Sequence, residues 1–250
     1  MFNLKKVKRA RRNLRFITNF LFKLFQINLK FKETRKDYGI EIFEYFYLPW
    51  RTNDEFKNIY NLISEFTLNP NSRLYTIYDY SKRYLLDDTA FVEVGTWKGG
   101  VCGLISLANE DKDIDIYACD TFSGVKNASN KDTFFKDGEY NDASSDDIFE
   151  ISKIVDRKIY VVEGIFPESF YNINIKKNIS MAHIDVDTYI SAKNSFEFIS
   201  EKLLPGGLVI LDDYGGWFTD GVTKFGEELK NNNSYISVPN HLGQLLIFKK

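Results

Sequence analysis

Two short apolar runs in the second half of the chain stop at acidic residues. Residues 179–184 read Ile-Ser-Met-Ala-His-Ile and are followed by Asp185. Residues 208–211 read Leu-Val-Ile-Leu and are followed by Asp212 and Asp213. Apolar runs of this length are typical of strands that are buried on both faces of a parallel sheet. The pattern therefore predicts two parallel strands whose carboxyl ends carry acidic side chains.

A helix is predicted between these two strands. Apolar residues recur at helical spacing through residues 191–204, namely Ala192, Phe196, Ile199 and Leu203. The tripeptide Pro205-Gly206-Gly207 predicts the end of that helix. A strand-helix-strand unit in a parallel sheet brings both strand ends to the same edge, so Asp185 is expected to lie near Asp212 and Asp213.

The same periodicities predict the remaining elements. Helices are expected over residues 54–66, 72–84 and 101–108, and strands over 90–94, 114–119 and 158–162. Residues 122–147 are rich in Ser, Asn, Asp and Gly, which predicts a long polar loop. This loop is interpreted either as a lid or as a flexible connection. Strands that alternate with helices indicate an α/β fold built on a parallel sheet.

Acids that gather at one sheet edge repel one another and need a cation. Oxygen ligands favour a hard divalent ion such as Mg²⁺. The alternative is that these acids cap helices or lie solvated at strand ends. Two acidic groups at matched strand ends favour the metal site, because ligands of open α/β sheets bind beyond the carboxyl ends of the strands.

A glycine turn follows the strand at residues 90–94. Residues 95–100 read Gly-Thr-Trp-Lys-Gly-Gly, a spacing that differs from the Gly-x-Gly-x-x-Gly of dinucleotide-binding turns. Gly95 permits a sharp turn, and Glu93 lies two residues before it. An acid beside the turn would repel a pyrophosphate but would suit an amine-bearing ligand.

The next strand ends at Asp120, where a carboxylate can accept hydrogen bonds from the ribose hydroxyls of a nucleoside. Together with the turn at Gly95, this favours S-adenosylmethionine over NAD as the cofactor. Residues 163–169 follow a third strand and form a loop that could lie against the adenine.

Composition is compatible with one α/β domain and an extra segment. The chain has 250 residues, of which 44% are hydrophobic and 16% are aromatic, enough for a packed core. Cys102 and Cys119 lie in apolar surroundings and match no zinc-ligand spacing, which favours a reducing, cytoplasmic location.

Charge is unevenly distributed along the chain. Residues 1–36 hold 12 of the 33 Lys and Arg residues but only one of the 35 acids. This segment combines basic and Phe-rich stretches, which predicts peripheral contact with an anionic membrane, contact with an anionic substrate or a partner subunit, or a helix packed on its own domain. No run approaches the length of a membrane span, and the acidic remainder argues against nucleic acid as a partner.

Five short motifs carry a resemblance to a known family. They are residues 91–100 (FVEVGTWKGG), 120–124 (DTFSG), 164–170 (GIFPESF), 183–189 (HIDVDTY) and 205–214 (PGGLVILDDY). In this order they resemble class I S-adenosylmethionine-dependent methyltransferases, and among those the macrocin-O-methyltransferase-like (TylF/MycF-type) sugar O-methyltransferases. The resemblance covers roughly residues 73–250, which predicts a methyltransferase domain there and a basic helical extension over residues 1–72.

The resemblance implies a Rossmann-like, seven-stranded, mostly parallel sheet with helices on both faces. Its last strand would be antiparallel, and residues 244–248 are the candidate. It implies Mg²⁺ held by Asp185, Asp212 and Asp213. It also implies S-adenosylmethionine bound by Glu93, Gly95, Thr96, Trp97, Gly99, Asp120, Thr121, Phe122, Gly164, Phe166 and Asp185.

The reaction implied is methyl transfer to the hydroxyl of a sugar or nucleotide-sugar acceptor, by a homo-oligomer, in bacterial surface-glycan or glycosylated natural-product biosynthesis. The sequence departs from catechol-type relatives, which carry a lysine as base where this chain has Thr188. Candidate bases are Asp185, then Asp187, then His241. His183 is interpreted as a hydrogen-bonded core residue.

Three alternatives remain open from the sequence. The first is a catechol- or phenol-type small-molecule O-methyltransferase, which differs in its acceptor. The second is a relative of the cephalosporin-hydroxylase-like proteins that does not transfer methyl groups. The third is a membrane- or partner-binding module, against which the set of Glu93, Gly95, Asp120 and Asp185 argues.

Overall fold

A seven-stranded sheet forms the centre of the protein. The computed structural model describes residues 47–171, 173 and 175–250. The strands are β1 (Thr89–Val94), β2 (Ile114–Asp120), β3 (Tyr160–Glu163), β4 (Ile179–Ile184), β5 (Leu203–Leu211), β6 (Tyr235–Pro239) and β7 (Leu245–Lys249). Their order is β3-β2-β1-β4-β5-β7-β6, with β1 to β5 parallel and β7 antiparallel to both of its neighbours. The predicted sheet, including its antiparallel last strand, is confirmed.

Seven α-helices occur in the described residues. They are α1 (Pro49–Thr52), α2 (Asp54–Ile63), α3 (Asn71–Tyr84), α4 (Gly100–Ala108), α5 (Ser145–Ile154), α6 (Tyr189–Lys202) and α7 (Asp220–Lys230). Short 3₁₀ turns lie at Ser64–Phe66 and Glu168–Phe170. Local capping fixes two of the helix starts: Asn53 accepts a hydrogen bond from the backbone of Phe56, and Ser144 forms a reciprocal pair with Asp147.

Side chains alternate between the two faces of the sheet. Phe91 of β1 and Met181 of β4 lie on the face that α2, α3, α4 and α5 cover. Val92 and Ala182, their chain neighbours, lie on the face that α6 and α7 cover. The period-two alternation of a strand thus divides one apolar sheet between two cores, and the predicted Rossmann-like arrangement with helices on both faces is confirmed.

Two predicted boundaries differ from the structure, and two elements were not predicted. The helix predicted over residues 191–204 ends at Lys202, and β5 begins at Leu203, so Pro205-Gly206-Gly207 belongs to an irregular first half of that strand. The polar loop predicted over residues 122–147 ends at Ser144, where the capping pair starts α5. Helix α7 and strand β6 were not predicted: α7 is mostly polar with one apolar side, and β6 is short and exposed or half-buried at every position.

Helices α2 and α3 pack on the sheet itself. Phe56, Ile63 and Leu74 are buried in the same core as α4 and β1. The predicted boundary at residue 72 stays a prediction, and the basic stretch of residues 1–36 lies outside the described residues. Across the described part of the chain, every helix is too short or too polar to cross a bilayer.

Candidate active site

The acids named from the sequence lie at the carboxyl ends of two adjacent strands. Asp185 directly follows β4, and Asp212 and Asp213 directly follow β5. Backbone hydrogen bonds continue the sheet past both ends, from Asp185 N to Val94 O and from Asp212 N to Ile184 O. One side-chain ligand atom from each of His183, Asp185 and Asp212 lies within 4.8 Å of the others. Residues distant in sequence are therefore brought together, as the strand-helix-strand pattern predicts.

His183 connects the acidic edge to the turn after β1. Its Nδ1 lies 3.0 Å from Glu93 Oε1, and its Nε2 lies 3.2 Å from Asp212 Oδ2. Burial alone would lower the pKa of His183, but the carboxylates of Asp212 and Glu93 outweigh that effect and raise it to about 10. The imidazolium is therefore a buried structural cation between two anions, and neither ring nitrogen is left for a metal.

Glu93 is held entirely by protein groups. Besides His183, it accepts hydrogen bonds from Thr96 Oγ1 at 2.8 Å and from Cys102 Sγ at 3.1 Å, both through Oε2. Its side chain is 2% exposed. The structure therefore places Glu93 beneath the turn as its internal anchor, and direct contact with an amine of the cofactor stays a prediction.

Two side chains that the sequence did not single out contact the acids. Arg73 Nη1 lies 2.9 Å from Asp212 Oδ1 and 2.8 Å from Asp213 Oδ1. Asn69 Nδ2 donates to Asp185 Oδ2 at 2.9 Å. Both residues come from the segment around the start of α3, which brings an amide and a guanidinium across the sheet edge.

The negative charges of the acids at the sheet edge are only partly balanced by nearby positive groups. Burial, reinforced by Asp212 and Asp213, raises the pKa of Asp185 well above its usual range. Burial and the neighbouring acids, Asp213 foremost, do the same for Asp187. The pKa of Asp213 is raised by burial and by Asp212, although Arg73 opposes the shift. An additional cation at this edge would relieve these repulsions.

The turn after β1 touches the acidic edge directly. Gly95 has a φ of +82°, and a Cβ added there would lie 1.8 Å from the backbone oxygen of Asp185. Only glycine fits this conformation and this spacing. The backbone of the predicted cofactor turn and that of the predicted metal ligand are consequently in contact.

Asp120 stands at the end of β2 beside that turn. Its Oδ2 accepts from the backbone of Trp97 at 2.9 Å, and its Oδ1 accepts from the backbone of Phe122 at 2.9 Å. Burial raises the pKa of its carboxyl in spite of these bonds. Each oxygen has a second lone pair, so the oriented carboxylate can still accept hydrogen bonds from a diol.

The turn after β1, the end of β2 and the acidic edge line one cavity of about 270 Å³. Of the residues predicted as site members, it is lined by Glu93, Gly95, Thr96, Trp97, Asp120, Thr121, Gly164, Phe166, Asp185, Asp187 and Asp213. Gly99, Phe122 and Asp212 do not line it, and His241 is exposed in the turn between β6 and β7.

The long loop before α5 forms one side of the cavity. Lys126, Asn127 and Tyr140 line it from this loop. The loop is attached near its middle, where Asp132 Oδ1 accepts from the backbone of Tyr189 at 2.9 Å and Thr133 N donates to Asp220 Oδ1 at 3.1 Å. These contacts tie the loop to the starts of α6 and α7.

The residues fit both of the expected groups. With both nitrogens of His183 engaged, the donors that remain at the edge are carboxylate oxygens of Asp185, Asp212 and Asp213, the type that Mg²⁺ prefers. Bare backbone at Gly95 and an oriented carboxylate at Asp120 offer room and acceptors for the nucleoside of S-adenosylmethionine.

Comparison with known proteins places this site in a family context. The model of the macrocin-O-methyltransferase (TylF) family matches residues 66–242. A curated relative, demethyldecarbamoylnovobiocin O-methyltransferase of Streptomyces niveus, is 24% identical over 137 residues, which are 49% of this chain and 52% of the relative. The chain thus spans about half the length of that relative.

Solved structures share the fold. The O-methyltransferase NovP superposes with a TM-score of 0.56 at 20% identity, covering 74% of this chain and 82% of NovP. CalS11, a calicheamicin methyltransferase, superposes with a TM-score of 0.61 at 16% identity, covering 85% of this chain and 99% of CalS11. A second structure describes CalS11 as a TDP-rhamnose 3'-O-methyltransferase, with a TM-score of 0.53 at 16% identity over 82% of this chain and 96% of CalS11.

Proposed function

The chain belongs to the macrocin-O-methyltransferase (TylF) family, and from that premise we propose that it transfers a methyl group from S-adenosylmethionine to a hydroxyl of a sugar or nucleotide sugar. The observation that carries the proposal is the contact between the turn at Gly95 and the backbone of Asp185. The turn that we propose binds the nucleoside and the cluster of acids line one cavity. A methyl donor and an activated hydroxyl need that proximity in order to react in line.

The sugar acceptor is proposed from the proteins to which the chain is similar. CalS11 is described as acting on TDP-rhamnose, and family membership supports a similar class of acceptor here. A bacterial surface glycan or a glycosylated natural product is the proposed context.

The donor half of the cavity would hold the cofactor. Asp120 would accept hydrogen bonds from the ribose hydroxyls, because two backbone N–H groups already orient its carboxylate. Gly95, Thr96 and Trp97 line the cavity beside it. Gly164 and Phe166 line the side at which an adenine would lie.

The acidic half would hold Mg²⁺ through Asp185, Asp212 and Asp213. Bound there, the ion would make an acceptor hydroxyl lose its proton more readily. Arg73 and Asn69 orient the same carboxylates.

Asp187 is proposed as the proton acceptor. It lines the cavity, and burial and the neighbouring acids raise its pKa, which makes its carboxylate a stronger base than an ordinary aspartate. Asp185, the first candidate from the sequence, already accepts a hydrogen bond from Asn69. His241 lies outside the cavity wall.

The test is methyl transfer from labelled S-adenosylmethionine to a pool of nucleotide sugars, with a panel of phenols as the competing acceptor class, read by mass spectrometry. We expect product in the sugar pool, and we expect Asp185→Asn and Asp212→Asn to abolish Mg²⁺-dependent transfer. Binding of S-adenosylmethionine, measured by calorimetry, should change little in either variant. Activity that persists in EDTA with both variants active would rule out the metal mechanism, and labelled phenols alone would overturn the sugar acceptor.

Location and membrane contact are proposed from composition and charge. A cytoplasmic location is proposed because both cysteines are free and buried in the described residues. A homo-oligomer stays a prediction. Peripheral membrane contact through the basic residues 1–36 is also proposed, from their charge.

A further inference from the structure

Arg73 contacts carboxylate oxygens that a divalent ion would also bind. Its guanidinium bridges one oxygen of Asp212 and one of Asp213, at 2.9 and 2.8 Å through the same Nη1. Asp185 also acts on it as a nearby negative charge. In the described part of the chain, Arg73 is the arginine that binds this group of acids.

The oxygens of Asp212 show why this position matters. Oδ2 faces inward and is taken by His183 at 3.2 Å and by Gln244 Nε2 at 3.4 Å. Oδ1 faces the acidic edge, where it accepts from the backbone of Asp213 at 3.0 Å and pairs with Arg73. A metal ion that binds Asp212 from the cavity must therefore share or take the oxygen that Arg73 holds.

Arg73 is fixed in place by more than the acids. Its Nε donates to the backbone oxygen of Leu242 at 2.7 Å, and its side chain is 20% exposed. A Cβ added at Gly243 would lie 2.6 Å from its Nη2, so the turn between β6 and β7 fits closely around the guanidinium. The side chain therefore sits in a formed slot rather than on a mobile surface.

We propose that Arg73 is the internal counter-ion of the acidic edge and competes with the divalent cation for Asp212 Oδ1 and Asp213 Oδ1. This inference rests on the proposed metal site. In the metal-free protein the guanidinium balances part of the charge of Asp185, Asp212 and Asp213. It thereby keeps their carboxylates in position and weakens the binding of the ion.

The experiment measures Mn²⁺ affinity by electron paramagnetic resonance in the full chain, with Arg73→Gln as the test variant. Loss of a neighbouring positive charge strengthens binding of another cation, so Arg73→Gln should bind Mn²⁺ about tenfold more tightly or better. Its metal-free melting temperature should fall and recover when Mn²⁺ is added. A purely structural role would leave Mn²⁺ affinity unchanged or lower it.

Arg83→Gln is the matched control. Exposed Arg83 lies on the same helix and pairs with Asp79, away from the cavity. The Arg83→Gln chain should bind Mn²⁺ as tightly as the unaltered chain. Arg73→Lys keeps the charge but not the two-sided hydrogen bonding, so it should bind Mn²⁺ with intermediate affinity even if Arg73→Gln folds poorly.

The outcomes separate the two levels of inference. Equal or weaker Mn²⁺ binding by both Arg73 variants would overturn the counter-ion role and leave the metal site intact. No Mn²⁺ binding by any chain would overturn the counter-ion role and the metal part of the proposed function together. Binding by the Arg73 variants alone would support the competition in its strongest form.

Discussion

At the scale of single residues, the two buried ion pairs of His183 should make the stability of the fold depend on pH. The pKa of His183 is raised to about 10 in the folded chain, from an ordinary value of 6.5. Between these values the folded state holds a proton that the unfolded state has lost. The free energy of unfolding should therefore fall as pH rises from about 6.5 to about 10, by at most about 1.4 kcal/mol per pH unit.

Urea unfolding at a series of pH values would measure this slope, with His183→Gln as the reference chain. The raised pKa values of Asp185 and Asp187 also make the free energy of unfolding fall as pH rises, and this fall begins near their ordinary pKa of 3.8. Both acids are present in both chains, so the difference between the two slopes reports His183 together with its effect on the pKa of Asp185. Identical slopes across this window would contradict the buried imidazolium.

The acids of the site could be predicted from the sequence, whereas their polar partners could not. Asp120, Asp185 and Asp212 each follow an apolar run, and the ends of parallel strands meet at one edge. Arg73 lies 140 positions from Asp213, near the start of a helix whose own spacing does not show which residues its polar side contacts. Contacts of that kind depend on how α3 packs, which a local pattern does not encode.

At the scale of elements, the loop of residues 121–144 is attached to the starts of two helices. Asp132 accepts the otherwise unpaired backbone N–H of Tyr189, the first residue of α6, and also accepts from Ser129 N and Oγ. A Cβ at Gly221 would lie 1.8 Å from Asp132 Oδ1, so α7 approaches the same carboxylate closely. One side chain thereby joins the loop to both helices.

Asp132→Ala should lower the free energy of unfolding by about 1 kcal/mol, the usual effect of losing an acceptor at a helix start. Equilibrium unfolding in urea would measure the loss. Asp137→Ala is the matched control, because exposed Asp137 accepts only a backbone N–H within the loop, from Ala128 at 2.9 Å. Equal losses in the two variants would argue against the anchoring role.

Strands that are buried along their whole length were predictable, and the exposed strand β6 was not. Strands β1 and β4 are buried along their whole length, so their runs stand out in the sequence. Strand β6 is exposed or half-buried at every position. Its pairing with β7 comes from the hydrogen bonds of a hairpin, which leave little trace in hydrophobic spacing.

At the scale of the whole molecule, the uneven charge of the chain leads to a prediction about membranes. Residues 1–36 hold 12 Lys and Arg residues, and each basic residue near an anionic surface contributes about 1 kcal/mol of attraction. The full chain should therefore float with anionic liposomes, whereas a chain that lacks residues 1–30 should stay in the soluble fraction. Neutral liposomes are the control, and equal recovery of both chains in the soluble fraction would refute membrane contact.

The near-contact of Gly95 with the backbone oxygen of Asp185 limits how this protein could be redesigned. The two strand ends meet there as bare backbone, so they cannot be respaced to admit a bulkier substrate. A change in substrate preference would have to come from replacing segments that line the cavity, such as residues 67–70 or 121–144, while the two strand ends stay unchanged. The chemistry and the choice of substrate are in this sense separable parts that an engineer could exchange independently.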